Sequence, residues 1–402
     1  MKLLLLAPYP PFPPRGGGAL RIYNLLKGLA ARHELTLLSF APDEAALRAL
    51  GPLRDRCRVA TVPSPPRRSP LRRAATTLLS PLPDMALRNG SRAYAEALSR
   101  VLARERFDVV QAESIEMAGY ALAARGLGPR LVLDEFNAEY LLQRRAALAD
   151  LRRGLGFNPR ALAGALYSLV QWRKLASYER ELLDAFDRVL VVSDEDRASL
   201  QRLRPRAEPV VVPNGVDTAT VRPAAHAEAP RPDSMVFTGT LDYRPNIDAL
   251  RWFVGEVLPL IRRRRPAARL RIVGRAAGPS VRALVGAGVE LLGEVPEVAP
   301  HIASAAVYVV PMRIGGGSRL KLLEALALEA AVVSTPMGAE GVAGLRDDEQ
   351  LLLAASPAAF ASAVLRLFDD AALRRRLGSR GRAHVVAHYD WSAIIPRLEA
   401  AY

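Results

Sequence analysis

The sequence has 402 residues, 50% apolar and 24% charged, with a single cysteine, Cys57. That is ordinary soluble-protein composition with length for two domains, and it excludes an internal disulfide framework, pointing instead to a reducing, cytoplasmic compartment. The net charge of +15, with arginines clustered at 67–68, 72–73, 262–265 and 374–382, favours anionic partners. The five histidines are too scattered for a zinc site, and no apolar run approaches the roughly 18 residues of a membrane span.

In chain order, KLLLLA (2–7) predicts a buried strand that stops at Pro8, rather than a signal peptide, since prolines follow where a small-residue cleavage site would lie. Gly16-Gly17-Gly18 then precedes a helix predicted over 19–32, with Leu20, Tyr23, Leu26, Leu29 and Ala30 on one face. A strand is expected over 33–40, a helix over 43–50 and a strand over 58–62. Residues 63–92, rich in Pro and Arg, read as a long loop with one short helix. A helix over 94–104, a strand over 107–111 (FDVVQ), a helix over 117–124 and a strand over 130–134 (RLVLD) follow. The polar run Glu135 to Glu139 sits where α/β sites are built, at the end of a buried strand. There Asn137 and Glu139 read equally as site residues near an acceptor or as a plain loop cap. Residues 139–184 read as helical with a break at 154–159, Trp172 and Tyr178 being core positions. Strands at 188–193 and 210–213 lead to a Pro/Ala-rich linker at 223–233.

A second βα series starts with strand 235–239 and a helix over 246–264, then strands 269–274 and 289–293. The stretch SAAVYVVPMRIGGGSRLKLLEALALEAAVVSTP (304–336) carries the chemistry. Its strand (305–310), glycine loop (315–318), helix and strand (330–334) form one βαβ unit of a parallel sheet. A short strand, LLLA (351–354), two helices over 357–388 and a last helix from Trp391 to Tyr402 complete the chain. Glycines let backbone amides approach a ligand, and the following helix points its positive end at the same place. Arg319 and Lys321 flank that end, and Glu324 lies about one turn in. Amides with two cations suit a diphosphate, and a carboxylate one turn further suits vicinal sugar hydroxyls. The Walker spacing is absent.

With these motifs in order, the chain resembles the GT-B-fold glycosyltransferases of family 4 (glycosyltransferase group 1). The resemblance rests on Gly16-Gly17-Gly18 after the first strand, VVSDED (191–196), VVPNGVD (211–217), FTGTLDYRPNIDAL (237–250), LRIVG (270–274), VELLGEV (289–295) and the glycine-loop unit extended to Gly341. It implies two Rossmann-like α/β domains facing across a cleft. These would be an acceptor-binding domain over 1–215 and a nucleotide-sugar-binding domain over 216–388, with a helix from about 389 to 402 packing back on the first. It implies transfer, with retention, from a nucleotide-diphosphate sugar to a glycan, lipid-linked or small-molecule acceptor, in cell-surface polysaccharide or glycolipid synthesis. Glu324 would bind the ribose, and Arg319 and Lys321 would face the diphosphate as catalytic groups. Backbone at Gly316 and Gly317, with Ser318, would meet phosphate or sugar, and Gly17 and Gly18 would cap the phosphate. Thr240, Arg244 and Asn246 would join the donor site, and Asn214 and Gly215 the hinge region.

Two departures stand out. Where many relatives carry a glutamate eight residues before the ribose glutamate, this chain has Gly316, so backbone amides replace a carboxylate. Where many carry a histidine after the strand FDVVQ, it has Gln111-Ala112-Glu113-Ser114. Glu113 is open to two readings, a catalytic group or a helix-start residue. Arg244 does not match the usual basic pair's spacing cleanly. No D-x-D dyad of metal-dependent transferases is evident, so no metal or other cofactor is expected, the cations and helix ends serving the leaving nucleotide instead. A non-catalytic glycan- or nucleotide-binding subunit and a nucleotide-sugar epimerase are the alternatives, and no nucleic-acid module is recognised. The basic loop Arg67 to Arg73 makes an anionic membrane surface a candidate partner, at the inner face of the cell membrane.

Overall fold

The computed structural model describes residues 1–14, 16–154, 159–223, 230–317 and 319–402. The chain divides into two compact units, Met1–Pro213 with Ile395–Tyr402, and Asn214–Ile394. Each unit is an α/β layer structure on its own parallel sheet.

The first sheet holds β1 (Lys2–Ala7), β2 (Glu34–Ala41), β3 (Arg58–Pro63), β4 (Val109–Glu113), β5 (Arg130–Glu135), β6 (Arg188–Val191) and β7 (Val210–Val211) in the order 3-2-1-4-5-6-7, all parallel. Every residue from Leu3 to Ala7 is buried, as an unbroken apolar run requires of a strand covered on both faces. The strand order reverses between β1 and β4, which opens a crevice beyond their C-terminal ends. The helix after the first glycines, α1 (Gly17–Leu29), begins two residues earlier than expected. Gly16 alone takes the left-handed turn, at φ 102°, and serves as cap, so Gly17 and Gly18 form the first helical turn.

Two further differences follow from register and capping. β4 lies two residues later than FDVVQ, because Leu3 pairs with Val109 and Asp108 N–H bonds the Lys2 carbonyl before the strand proper begins. Glu113 is therefore a strand-end residue. The stretch 63–92 is largely helical, since Ser69 caps α2 (Pro70–Leu79), with Pro70 in its first turn. A second short helix spans Asp84–Arg88. The helix Glu139–Gly154 precedes α3 (Pro159–Ala185), and the expected break at 154–159 falls largely on 155–158, outside the described residues.

The end of the final helix, Trp391–Ala401, belongs to the first unit. A Cβ on Gly28 would lie 2.4 Å from Ile395, so α1 needs glycine there for the helix to seat. Glu399 takes Arg32 at 2.7 Å and His33 Nε2 at 2.8 Å, and Tyr402 Oη donates to Gln111 Oε1 at 2.8 Å.

The second sheet holds β8 (Arg231–Thr238), β9 (Arg269–Val273), β10 (Val289–Gly293), β11 (Ala305–Val310), β12 (Val332–Ser334) and β13 (Leu352–Leu353) in the order 10-9-8-11-12-13, again all parallel. Its order reverses between β8 and β11. Of the expected linker, 224–229 lie outside the described residues, and Arg231–Asp233 already belong to β8. The single helix expected over 246–264 is α4 (Arg244–Trp252), a π turn (Phe253–Val257) and a helix Leu258–Arg264. Pro259 has no N–H for the α ladder, and the turn re-registers by bonding Leu258 N–H to the Phe253 carbonyl. The glycine-loop helix is α5 (Leu320–Ala327). Among the described residues no helix is long and apolar enough to cross a membrane.

Candidate active site

In the second unit, the expected donor residues gather at the switch point between β8 and β11. β8 ends at Thr238 and gives way to Gly239, whose φ is 154°. A Cβ there would stand 2.7 Å from Lys321 Nζ and 2.8 Å from Asn246 Nδ2, so the missing side chain is what lets three elements converge. Asn246, in the first turn of α4, links them. Its Nδ2 donates to the Thr240 carbonyl at 2.8 Å, and its Oδ1 accepts from Lys321 Nζ at 2.7 Å. The same ammonium stands 4.1 Å from the centre of the Phe237 ring, within cation–π range.

This setting lowers the Lys321 pKa to about 7, first by burial and then by the charge of Arg319. Lys321 is thus poised to gain a proton when an anion arrives. Glu324, one turn along α5 and partly buried, has its carboxyl pushed above the usual range by burial. Behind them Thr238 Oγ1 and Tyr308 Oη lie 2.6 Å apart, and burial raises the tyrosine further from ionisation. Arg244 opens α4 and is partly buried.

Arg319 does something the sequence did not suggest. Its Nη1 donates to the Gly316 carbonyl and, at 3.1 Å, to the Gly317 carbonyl, while Nη2 reaches the Met337 carbonyl at 3.2 Å. A Cβ on Gly315 (φ 153°) would sit 2.6 Å from this guanidinium. Arg319 therefore fastens the glycine loop from within. A trans peptide points its C=O and the next N–H in opposite directions, so anchoring the Gly316 carbonyl turns the Gly317 N–H away from Arg319. Ser318 lies outside the described residues.

In the first unit, Gly17 and Gly18 form the start of α1 beside the end of β1. A Cβ on Gly18 would meet Tyr9 Oη at 1.9 Å and the Phe136 ring at 3.0 Å, so the glycine admits a tyrosine over the helix end. Burial, then the charges of Glu116, Glu113, Glu139 and Asp134, hold that phenol well above its usual pKa. Asn137 and Glu139 do meet, Nδ2 to Oε1 at 3.1 Å, and burial pushes Glu139 up to about 7.

Glu113 has no exposed surface. Its Oε1 accepts from Gln111 Nε2 at 2.8 Å, while its Oε2 finds no donor. Burial, then the adjacent Asp134 charge, raise its pKa well above the carboxylate range. Asp134 is in turn gripped by Arg21, Nε to Oδ2 and Nη2 to Oδ1 both at 2.7 Å, with both side chains buried. The helix-start reading of Glu113 is corrected: the residue closes β4, enclosed beside Gln111 and Asp134.

The sequence reading missed Gly239, Phe237, Tyr9 and the Arg21–Asp134 pair. Arg21 had a signal, an arginine inside the apolar stripe of a helix, and Asp134 another, an acid closing an apolar strand.

The family profile described as Glycosyltransferase Family 4 matches residues 15–220, and that of glycosyl transferases group 1 matches 232–370. The chain belongs to Glycosyltransferase Family 4. Among curated relatives, a phosphatidyl-myo-inositol mannosyltransferase from Mycobacterium tuberculosis is 31% identical over 210 residues, 49% of this chain and 54% of the relative. The match thus spans about half the length of that relative. Among solved structures, a sucrose-phosphate synthase from Thermosynechococcus elongatus aligns with TM-score 0.73 at 19% identity, covering 100% of this chain and 98% of the other. Anabaena HepE in complex with UDP and glucose aligns with TM-score 0.69 at 14% identity, covering 100% and 98%. At such identities the likeness concerns the fold, and the two Rossmann-like units are those of the GT-B class.

Proposed function

We propose that this family 4 chain transfers a glycosyl unit, with retention, from a nucleoside-diphosphate sugar to a hydroxyl of a glycan, lipid-linked or small-molecule acceptor. The observation that carries the reading is the Lys321–Asn246–Thr240 cluster around Gly239, at the switch point of the second sheet. A lysine with pKa about 7, set beside a glycine loop and a helix N-terminus, answers a group that brings negative charge with it. The mannosyltransferase activity of the mycobacterial relative supports the reaction class.

The anomeric carbon's bond to the β-phosphate oxygen breaks while a bond to the acceptor oxygen forms on the same face. The acceptor's proton passes to the departing phosphate oxygen, so no side-chain base is required. Lys321 stabilises charge as it develops on the diphosphate, helped by the amide of Gly317. Arg319 contributes by holding that amide in place, and Glu324 receives the ribose hydroxyls. Arg244, in the first turn of α4, adds a further positive charge beyond the end of β8. With these charges present the reaction proceeds without a metal ion, and turnover that EDTA abolishes and Mg²⁺ restores would contradict this.

The test is nucleotide release from UDP-, GDP-, ADP- and dTDP-sugars with and without a panel of acceptors. Release only when acceptor is present supports transfer. Conversion of the sugar nucleotide without acceptor would indicate an epimerase, and binding without conversion a non-catalytic subunit.

A further inference from the structure

α2 is turned inside out. A surface helix ordinarily buries its apolar stripe and shows its polar face to water. Here the polar positions face the protein. Thr77 Oγ1 accepts from Gln171 of α3 at 3.2 Å, and Lys174 of α3 donates to the carbonyls of Thr76, Thr77 and Ser80 at 3.2, 2.6 and 2.6 Å. Arg68 donates to Thr76 and to Asp84, and Arg73 reaches Tyr167 of α3 at 3.0 Å. On the outward arc Leu71, Leu78 and Leu79 are 84%, 81% and 85% exposed, with Ala74 and Ala75 between them, and no residue of the helix is buried. At 100° per residue these five positions fill one continuous arc. α3, which holds α2 in place, adds exposed Leu162 and Leu166, one turn apart.

We propose that the outward face of α2 is a membrane-docking surface that lies in the plane of an anionic bilayer, its leucines among the acyl chains. Charge selects this occupant. Arg72, next to Leu71 on α2, and Arg67, just before the helix, are exposed and join no ion pair among the described residues, whereas Arg68 and Arg73 are both engaged by Asp84. Two unpaired guanidinium groups bordering an apolar arc match anionic headgroups above acyl chains. A second copy of the chain is a poor match, because a two-fold contact through this face would bring both copies' free arginines together. The helix is exposed on its apolar side and fixed by hydrogen bonds on the other, so it needs no folding step to insert. The inference is independent of the proposed reaction.

The experiment is co-sedimentation of the full chain with vesicles of phosphatidylcholine containing one-third phosphatidylglycerol, and with pure phosphatidylcholine, at low and physiological salt. The wild type binds the mixed vesicles. Leu71→Ser with Leu78→Ser and Leu79→Ser, checked for an unchanged Tm, lowers that affinity about tenfold or more. Arg67→Ala with Arg72→Ala also lowers it about tenfold and removes the preference for the anionic lipid. Single leucine variants serve if the triple variant fails to fold. Absence of wild-type binding, or serine variants that bind as well as wild type, would overturn the proposal. So would vesicle-free dimerisation, seen by light scattering, that the serine variant abolishes.

Discussion

The two units repeat one plan, a parallel sheet whose strand order reverses beside the first strand, with a glycine segment leading into a helix at that point. Their switch points differ in charge. In the first, Tyr9 stands over the glycines amid Glu113, Glu116, Asp134 and Glu139. In the second, Lys321 and Arg319 bring positive charge to the glycine loop, with Glu324 further along α5. A similar sheet order thus carries opposite charge. Of the acids of the first, Glu113 and Asp134 are enclosed, Asp134 being paired with Arg21, whereas the cations of the second are those of the proposed diphosphate site. The glycines divide their work in the same way. Gly18 and Gly239 yield space to side chains, Tyr9 in one unit and Lys321 with Asn246 in the other.

The largest effect expected from disturbing this comparison is in the first unit. Arg21→Ala or Asp134→Ala leaves a buried charge unpaired and costs about 3–5 kcal/mol of stability. Denaturant unfolding monitored on the first unit measures it, and a loss below about 1 kcal/mol would mean that water reaches the pair. In the second unit, Lys321→Ala and Glu324→Ala each remove a charge-assisted contact worth ~2–3 kcal/mol, a fall of roughly 30- to 150-fold in kcat/KM. Wild-type kcat/KM in both variants would remove the site from α5.

Proton linkage offers a finer cut. Lys321 has a pKa of about 7 without ligand, and a bound diphosphate raises it. Nucleotide binding therefore takes up a proton above pH 7, and affinity falls as pH rises beyond it, by up to about tenfold per unit. Calorimetry in buffers of different ionisation enthalpy reads the uptake directly. The acids of the first unit behave differently. Glu139 and Glu179 are raised to about 7 and about 8, so the folded state binds more protons than the unfolded one between the ordinary carboxylate pKa and those values. Their contribution to stability is present at low pH and is lost as pH rises through that window. Glu179→Gln should flatten the decline in Tm. The smallest effect is at Glu113, where Glu113→Gln keeps the size of the enclosed side chain and should alter kcat/KM by less than about threefold, about 0.6 kcal/mol. A loss above about a hundredfold would support a catalytic role.

Much of the fold was legible because buried parallel strands write themselves as apolar runs. KLLLLA, VELLG and AAVYVV carry their boundaries in the sequence. Errors came where a tertiary contact decides. β4 took its register from β1, and the helix after β8 shifted its ladder at Pro259. In 63–92 one short helix was expected and two were found, and the outward apolar arc of α2 was not legible because the prolines and arginines of the stretch suggested a loop. The proposed donor cluster was legible as residue types along one helix, Lys321 and Glu324. That Arg319 would turn back onto the loop carbonyls was not, since a guanidinium at a helix start serves a ligand or its own backbone equally well.

The most direct test of the central claim is a thermal-shift screen of the wild type and Glu324→Ala against UDP-, GDP-, ADP- and dTDP-sugars. A ligand at 100 times its Kd stabilises by about 2.7 kcal/mol. One sugar nucleotide raising the Tm of the wild type, with the shift lost in the variant, is the predicted result. Equal shifts in both proteins would place the nucleotide elsewhere, and no shift with any of them would contradict a sugar-nucleotide site at α5.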